Sequence, residues 1–144
     1  MLRVMTKVAL ASVFGLCAVM FAKMENVGAQ EKKEEKKLTT KQIMGTGHKG
    51  AEALFGKIQA AVKAKKLDDA VAPAKDLAAN GSLFPKATPP KGDAKSWDDL
   101  AGKYAVNTKA LADAAEKKDE DAVKKAIATI GGSCKACHDN HRGK

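Results

Sequence analysis

Basic residues outnumber acidic ones by 26 to 17 over 144 residues, a formal net charge of +9, while aromatics make up only 4% and cysteine occurs three times. With lysines scattered along the chain, few aromatics and no recognised nucleic-acid motif, the surplus favours acidic partners or anionic surfaces and excludes nucleic acid. Three cysteines are too few for a disulfide-built scaffold, so stability has to come from packing.

The first 29 residues read as an export signal. Arg3 and Lys7 form a basic start, and Val8 to Ala22 is an apolar run of 15 residues, shorter than the about 20 that span a bilayer as a helix. Val27-Gly28-Ala29 supplies small residues for cleavage after Ala29; the alternative is an uncleaved membrane anchor. Cys17 follows the bulky Leu16 where a lipoprotein signal needs a small residue, which argues against a lipid anchor. Both outcomes place the body outside the cytoplasm, periplasmic or otherwise exported. Cleavage removes Arg3, Lys7, Lys23 and Glu25 and leaves 23 basic against 16 acidic residues, a net +7.

Residues 30–38 are a charged, flexible lead-in with nothing to bury, and residues 39–144 form one domain. Thr39 or Thr40 caps a first helix running to about Lys66. Its inward stripe is Met44, His48, Ala51, Phe55, Ile58 and Val62, at offsets 4, 7, 11, 14 and 18 from Met44. Gly45, Gly47, Gly50 and Gly56 weaken that helix or permit a close approach. A second helix, Asp68 to Ala79, has Asp68 or Asp69 as its cap, Pro73 as its weak point and Asn80-Gly81 as its stop. A loop rich in proline and glycine follows through Leu83-Phe84-Pro85 and Pro89-Pro90-Lys91-Gly92 to Lys95. Ser96 with Asp99 opens the third helix as a capping box, with Trp97, Leu100, Tyr104, Leu111 and Ala115 inward. The fourth helix starts at Asp119-Glu120-Asp121, where the macrodipole favours acid, and Gly131-Gly132 loosens one of its turns. Four helices without strand signals predict an all-α, antiparallel, up-and-down four-helix bundle.

The fourth helix ends in Cys134-Lys135-Ala136-Cys137-His138, the C-x-x-C-H spacing through which haem c is attached. The two thiols add to the haem vinyl groups as thioethers and the adjacent imidazole binds iron from the proximal side. On a helix these residues stand at i, i+3 and i+4 and share one face. A thioredoxin-like redox pair needs a βαβ setting that is missing, and a zinc site with His141 lacks the usual spacer between ligand pairs. A Cys134–Cys137 disulfide closes too short a loop on a helix. The alanine-rich apolar set leaves a core that the porphyrin has to complete, so the haem-free chain is expected to fold poorly.

Cys134-Lys-Ala-Cys137-His138, with the basic Arg142 four residues later, Leu83-Phe84-Pro85 before a loop, and Trp97 opening the third helix together resemble the class II c-type cytochromes, the cytochrome c-prime family. The resemblance covers residues 38 to 144 and implies a four-helix bundle holding one covalently bound haem c. It also implies propionate contacts from Arg142 and, where the family commonly has an arginine early in the first helix, from Lys41 or its neighbour Lys37. His141 stands where the family often has an aromatic; it leaves the same helix as His138 and is expected beside the porphyrin edge or in solvent. In such a bundle the first and fourth helices are antiparallel neighbours, so residues 41 to 51 cover the distal face. Met44 and His48 lie there one turn apart, and only one of them can bind iron. Low-spin members of the family place a methionine on the first helix, as Met44 does here. Five-coordinate members cover the distal face with an apolar side chain and bind nitric oxide or other small gases. Met44 as sixth ligand, His48 in its place, or an open site are the three alternatives. The first makes the protein a one-electron carrier that catalyses nothing on a substrate and docks on an acidic or membrane-associated redox partner. Family members often dimerise through their first two helices, and a homodimer is compatible with this glycine-rich first helix.

Overall fold

The computed structural model describes residues 38–143, so the expected signal segment over 1–29 and most of the charged lead-in lie outside the described residues. Within that range the chain forms five α-helices: α1 Thr40–His48, α2 Leu54–Lys63, α3 Leu67–Gly81, α4 Ala94–Glu116 and α5 Glu120–His141, with a 3₁₀ turn at Phe84–Lys86. No strand occurs among the described residues. The architecture is the expected helical bundle, with its first helix divided into α1 and α2.

The division has a local cause. Gly50 adopts φ +89°, a left-handed conformation that an L side chain strains to reach, and the chain restarts from extended backbone at Ala53. The single helix expected from Thr39 to Lys66 therefore ends at His48 and begins again at Leu54. Its start is where the sequence places it: Thr39 caps α1, its side chain accepting from the Gln42 amide while the Gln42 side chain accepts from the Thr39 amide. The buried side of α1 differs from the expected stripe. Ile43 and Gly47 are buried, Met44 and His48 are half-buried, and Ala51 lies exposed in the break.

Two other starts shift. α3 begins at Leu67 behind Lys66, so Asp68 and Asp69 occupy its first turn, where they favour the macrodipole without capping it; the helix then passes through Pro73 unbroken. α4 is capped by Asp93, whose carboxylate accepts from the Lys95 and Ser96 amides, which places Ser96 inside the helix. The fourth expected helix is α5, capped by Asp119 and continuous through Gly131-Gly132.

Three-residue connections join α2 to α3 and α4 to α5, and both use the same closure. Lys66 N–H bonds to Ala61 C=O and Lys65 N–H to Val62 C=O; Asp119 N–H and Lys118 N–H repeat the pattern with Ala114 and Ala115. Lys65 and Lys118 are held at φ 57° and 55°, positions that favour glycine. Sequence neighbours then pack on one another, α2 on α3, α3 on α4 and α4 on α5, while α2 meets α5 only lightly. The approach is tightest between α3 and α4, where a Cβ at Gly81 would collide with the Thr108 side chain.

Two apolar clusters fill the bundle. One is built from small and branched residues, among them Ile58, Ala74, Leu77, Leu111, Ala115, Val123 and Ile130. The other is aromatic, with Ile43, Phe84, Ala87, Trp97 and Ala101 buried and Met44, Leu83, Tyr104 and Cys137 packed against it. Tyr104 touches both clusters.

Replacing Lys65 with Gly removes the left-handed strain at an exposed position, so Lys65→Gly is expected to raise stability by about 0.5–1 kcal/mol. A urea melt checks it: the midpoint rises and the slope is unchanged.

Candidate haem-binding site

Because α5 runs unbroken to His141, Cys134, Cys137 and His138 share one face of that helix, and all three are half-buried. Both cysteines are free thiols. Cys134 Sγ makes a long contact of 3.4 Å to the Ile130 carbonyl, and Cys137 packs against the aromatic cluster. Burial, with Cys134 adding to it, pushes the Cys137 thiol above its ordinary value. The opposite side of the helix is wet, carrying the exposed Lys135–Asp139 pair at 2.6 Å.

Met44 packs against the same aromatic cluster as Cys137. The start of α1 and the last turns of α5 therefore converge at one end of the bundle through Phe84 and Trp97, with little direct helix-to-helix contact. This differs from the expected close pairing of the first and fourth helices: α1 packs on α2 and α3, and α2 meets α5 only lightly.

His48 lies in a different setting. Its Nε2 is 2.6 Å from the Tyr104 hydroxyl, and its ring sits 5.0 Å from Phe55 and 5.8 Å from the Tyr104 ring. Burial lowers its pKa, and the nearby His138 lowers it further, so the ring is neutral at neutral pH. Tyr104 moves the other way: burial first, then Cys134, pushes its phenol well above the ordinary range and keeps it protonated.

Lys41 is exposed on the first turn of α1 and Arg142 is exposed as the C-cap of α5. His141 is neither solvated nor free to lie along a porphyrin edge, since only 2% of it is exposed. Its Nδ1 bonds to the Lys91 carbonyl at 2.9 Å, its Nε2 to Ser96 Oγ at 3.1 Å, and its ring meets Trp97 edge-on at 5.4 Å. Gly92 makes this approach feasible, because it holds φ +83° and any Cβ there would sit 2.6 Å from the Asn140 carbonyl. Among the described residues no group of three or more His, Cys, Asp or Glu side chains gathers into a metal cluster, so the zinc arrangement is not formed.

Three residues of this end escape a reading by spacing. Ile43 lies beside the Met44 stripe, Asn80 reads as a helix stop yet donates to the Ile43 carbonyl at 2.8 Å, and Tyr104 reads as an inward core residue. The one available signal is that Tyr104 is the only tyrosine in the chain and follows Trp97 by two turns of helix.

The family model described as Cytochrome C' matches residues 18–142, most of the chain. The chain belongs to the cytochrome c′ family. Comparisons with curated proteins and with solved structures give no match. The family is one of haem c-type cytochromes. The residues present suit that group: two unpaired half-buried thiols and an imidazole on one helix face, a thioether packed against the same apolar cluster as Cys137, and no competing disulfide or metal cluster among the described residues.

Two outcomes test this description. His141→Ala leaves a buried void and strands the Lys91 carbonyl, so a loss of about 2–4 kcal/mol is expected in a urea melt of the haem-loaded protein. The second concerns acid. As pH falls through 6.5, the ordinary histidine value, the unfolded chain protonates at position 48 before the folded one does. Stability conferred by the buried neutral ring is therefore complete above 6.5 and declines below it until the lowered folded value is passed. His48→Gln should flatten that part of the stability profile, as measured by melts between about pH 7 and 5.

Proposed function

We propose that the protein is an exported monohaem c-type cytochrome that passes single electrons between partner proteins. The observation that carries this reading is the convergence of Met44 and Cys137 on the aromatic cluster, with His138 on the face of Cys137. The chemistry that haem c supplies when bound is a one-electron iron couple, whose reduced state a thioether axial ligand stabilises. Cys134 and Cys137 would hold the group covalently, and His138 and Met44 would supply nitrogen and sulfur ligands to its iron. Ile43, Phe84 and Trp97, all buried, exclude water from this side and keep the polarity low.

Lys41 and Arg142, both exposed at this end, receive the propionates. His48 is the weaker candidate for iron because its Nε2 is already engaged by Tyr104 at 2.6 Å. The excess of basic residues suits an acidic or membrane-associated redox partner. No helix among the described residues is long and apolar enough to cross a membrane. The N-terminal 29 residues supply the export signal, and a protein that only relays electrons catalyses nothing on a substrate.

The visible spectrum of the purified haem protein tests the assignment. Sharp low-spin bands in the reduced-minus-oxidised difference are expected. Met44→Ala should keep the haem, convert iron to a high-spin form, lower the reduction potential and open the site to carbon monoxide or nitric oxide. His48→Ala should leave the spin state unchanged. A wild-type protein that is high-spin from the outset, and unaltered by Met44→Ala, would replace electron transfer by gas binding.

A further inference from the structure

Met44 and His48 sit one turn apart on α1, both half-buried and both able to donate to iron, so something must decide between them. Helix geometry does not, since both positions belong to the same stripe. What distinguishes the two is that Met44 packs against the aromatic cluster, whereas His48 is held by a short hydrogen bond from another helix.

We propose that Tyr104 is the positioning residue that fixes the ligand choice, by donating its hydroxyl proton to the His48 Nε2 lone pair and so withholding that nitrogen from iron. The direction of the bond follows from the groups present. His48 Nε2 lies 2.6 Å from the Tyr104 hydroxyl, and of these two groups the phenol is the stronger donor and the imidazole nitrogen the stronger acceptor, so the proposed bond runs from the hydroxyl to Nε2. The imidazole is then the Nδ1–H tautomer, with its Nε2 lone pair used as an acceptor. The ring is also fixed in place, with Phe55 at 5.0 Å and the Tyr104 edge at 5.8 Å. Tyr104 is itself anchored by the Phe84 ring at 5.0 Å, so the restraint comes from the core of α4 and not from a mobile surface group. Swinging His48 to iron would break the bond and leave a largely buried phenol unpaired.

The inference rests on the reading of Met44 as distal ligand, and the experiment separates the two. Spin state is read from visible and electron paramagnetic resonance spectra of haem-loaded Met44→Ala, Met44→Ala/Tyr104→Phe and Met44→Ala/Tyr104→Phe/His48→Ala proteins. Phe keeps the ring that packs on Phe84 and removes only the hydroxyl. The expected series is high-spin, then low-spin without a methionine-to-iron charge-transfer band, then high-spin again. If Met44→Ala alone is already low-spin through His48, or if the double variant stays high-spin, Tyr104 does not set the choice. Should the wild type itself be high-spin, the Met44 reading fails; Tyr104→Phe alone is then expected to shift iron to low-spin, and no shift overturns the inference. A measurement without substitution covers a Tyr104→Phe protein that does not fold. Nitrogen-15 spectra of histidine-labelled, reduced wild-type protein, with carbon monoxide added if the iron is high-spin, should show His48 protonated at Nδ1 and bare at Nε2. A proton on Nε2 overturns the proposal.

Discussion

Trp97 donates its indole N–H to the Ala87 carbonyl at 2.9 Å, and its ring meets Phe84 at 5.9 Å and His141 at 5.4 Å while only 2% of it is exposed. Through these contacts one side chain joins the irregular segment before α4, α4 itself and the end of α5. Large aromatic rings are the residues best suited to such a junction, because each buries more surface than several alanines. Met44 and Cys137 reach the site by packing on this junction, and so its geometry depends on Trp97 more than on any contact between α1 and α5.

The two apolar clusters divide the work of the fold. Away from the site the core is rich in alanine, with Ala61, Ala70, Ala74, Ala112, Ala114 and Ala115 letting helices approach closely while burying little surface apiece. At the site the residues are large, and polar groups tie the loose ends to them. Asn80 holds the Ile43 carbonyl of α1 at 2.8 Å, Thr40 Oγ1 bonds to Thr88 C=O at 3.0 Å, and His141 clasps the Lys91 carbonyl. Each is a single hydrogen bond worth about 1 kcal/mol net, and the bond from Asn80 also satisfies a buried backbone carbonyl.

The break between α1 and α2 serves the same end. A continuous helix from Thr39 to Lys66 would fix the rotation of Met44 and His48 from the packing of Ile58 and Ala61 further along. With Gly50 at φ +89° the short α1 turns independently, buries Ile43 and Gly47 against α3 and the aromatic cluster, and presents Met44 and His48 half-buried beside them. His48 then finds Phe55, from the start of α2, and Tyr104, from α4, as its neighbours.

Much of this was legible in the residues alone. The spacing of Cys134, Cys137 and His138, the helical period of the apolar residues, the Thr39 cap and the acidic start at Asp119 are local properties, and local chemistry dictates them. The sequence likewise identified Met44 and His48 as rivals, because both lie on one stripe. It did not reveal where the first helix breaks, since four glycines within twelve residues, Gly45, Gly47, Gly50 and Gly56, are equal on propensity and only packing selects Gly50. Asp93 caps α4 three residues before Ser96, and the Ser96 hydroxyl instead meets His141, 45 residues away. His141 is a latch and not a porphyrin neighbour for the same reason: its partners Lys91, Ser96 and Trp97 come from a distant segment. Tyr104 meets His48 across 56 positions, and no periodicity within one helix encodes a contact between two. Spacing decides which face a side chain occupies; tertiary packing decides what that face meets.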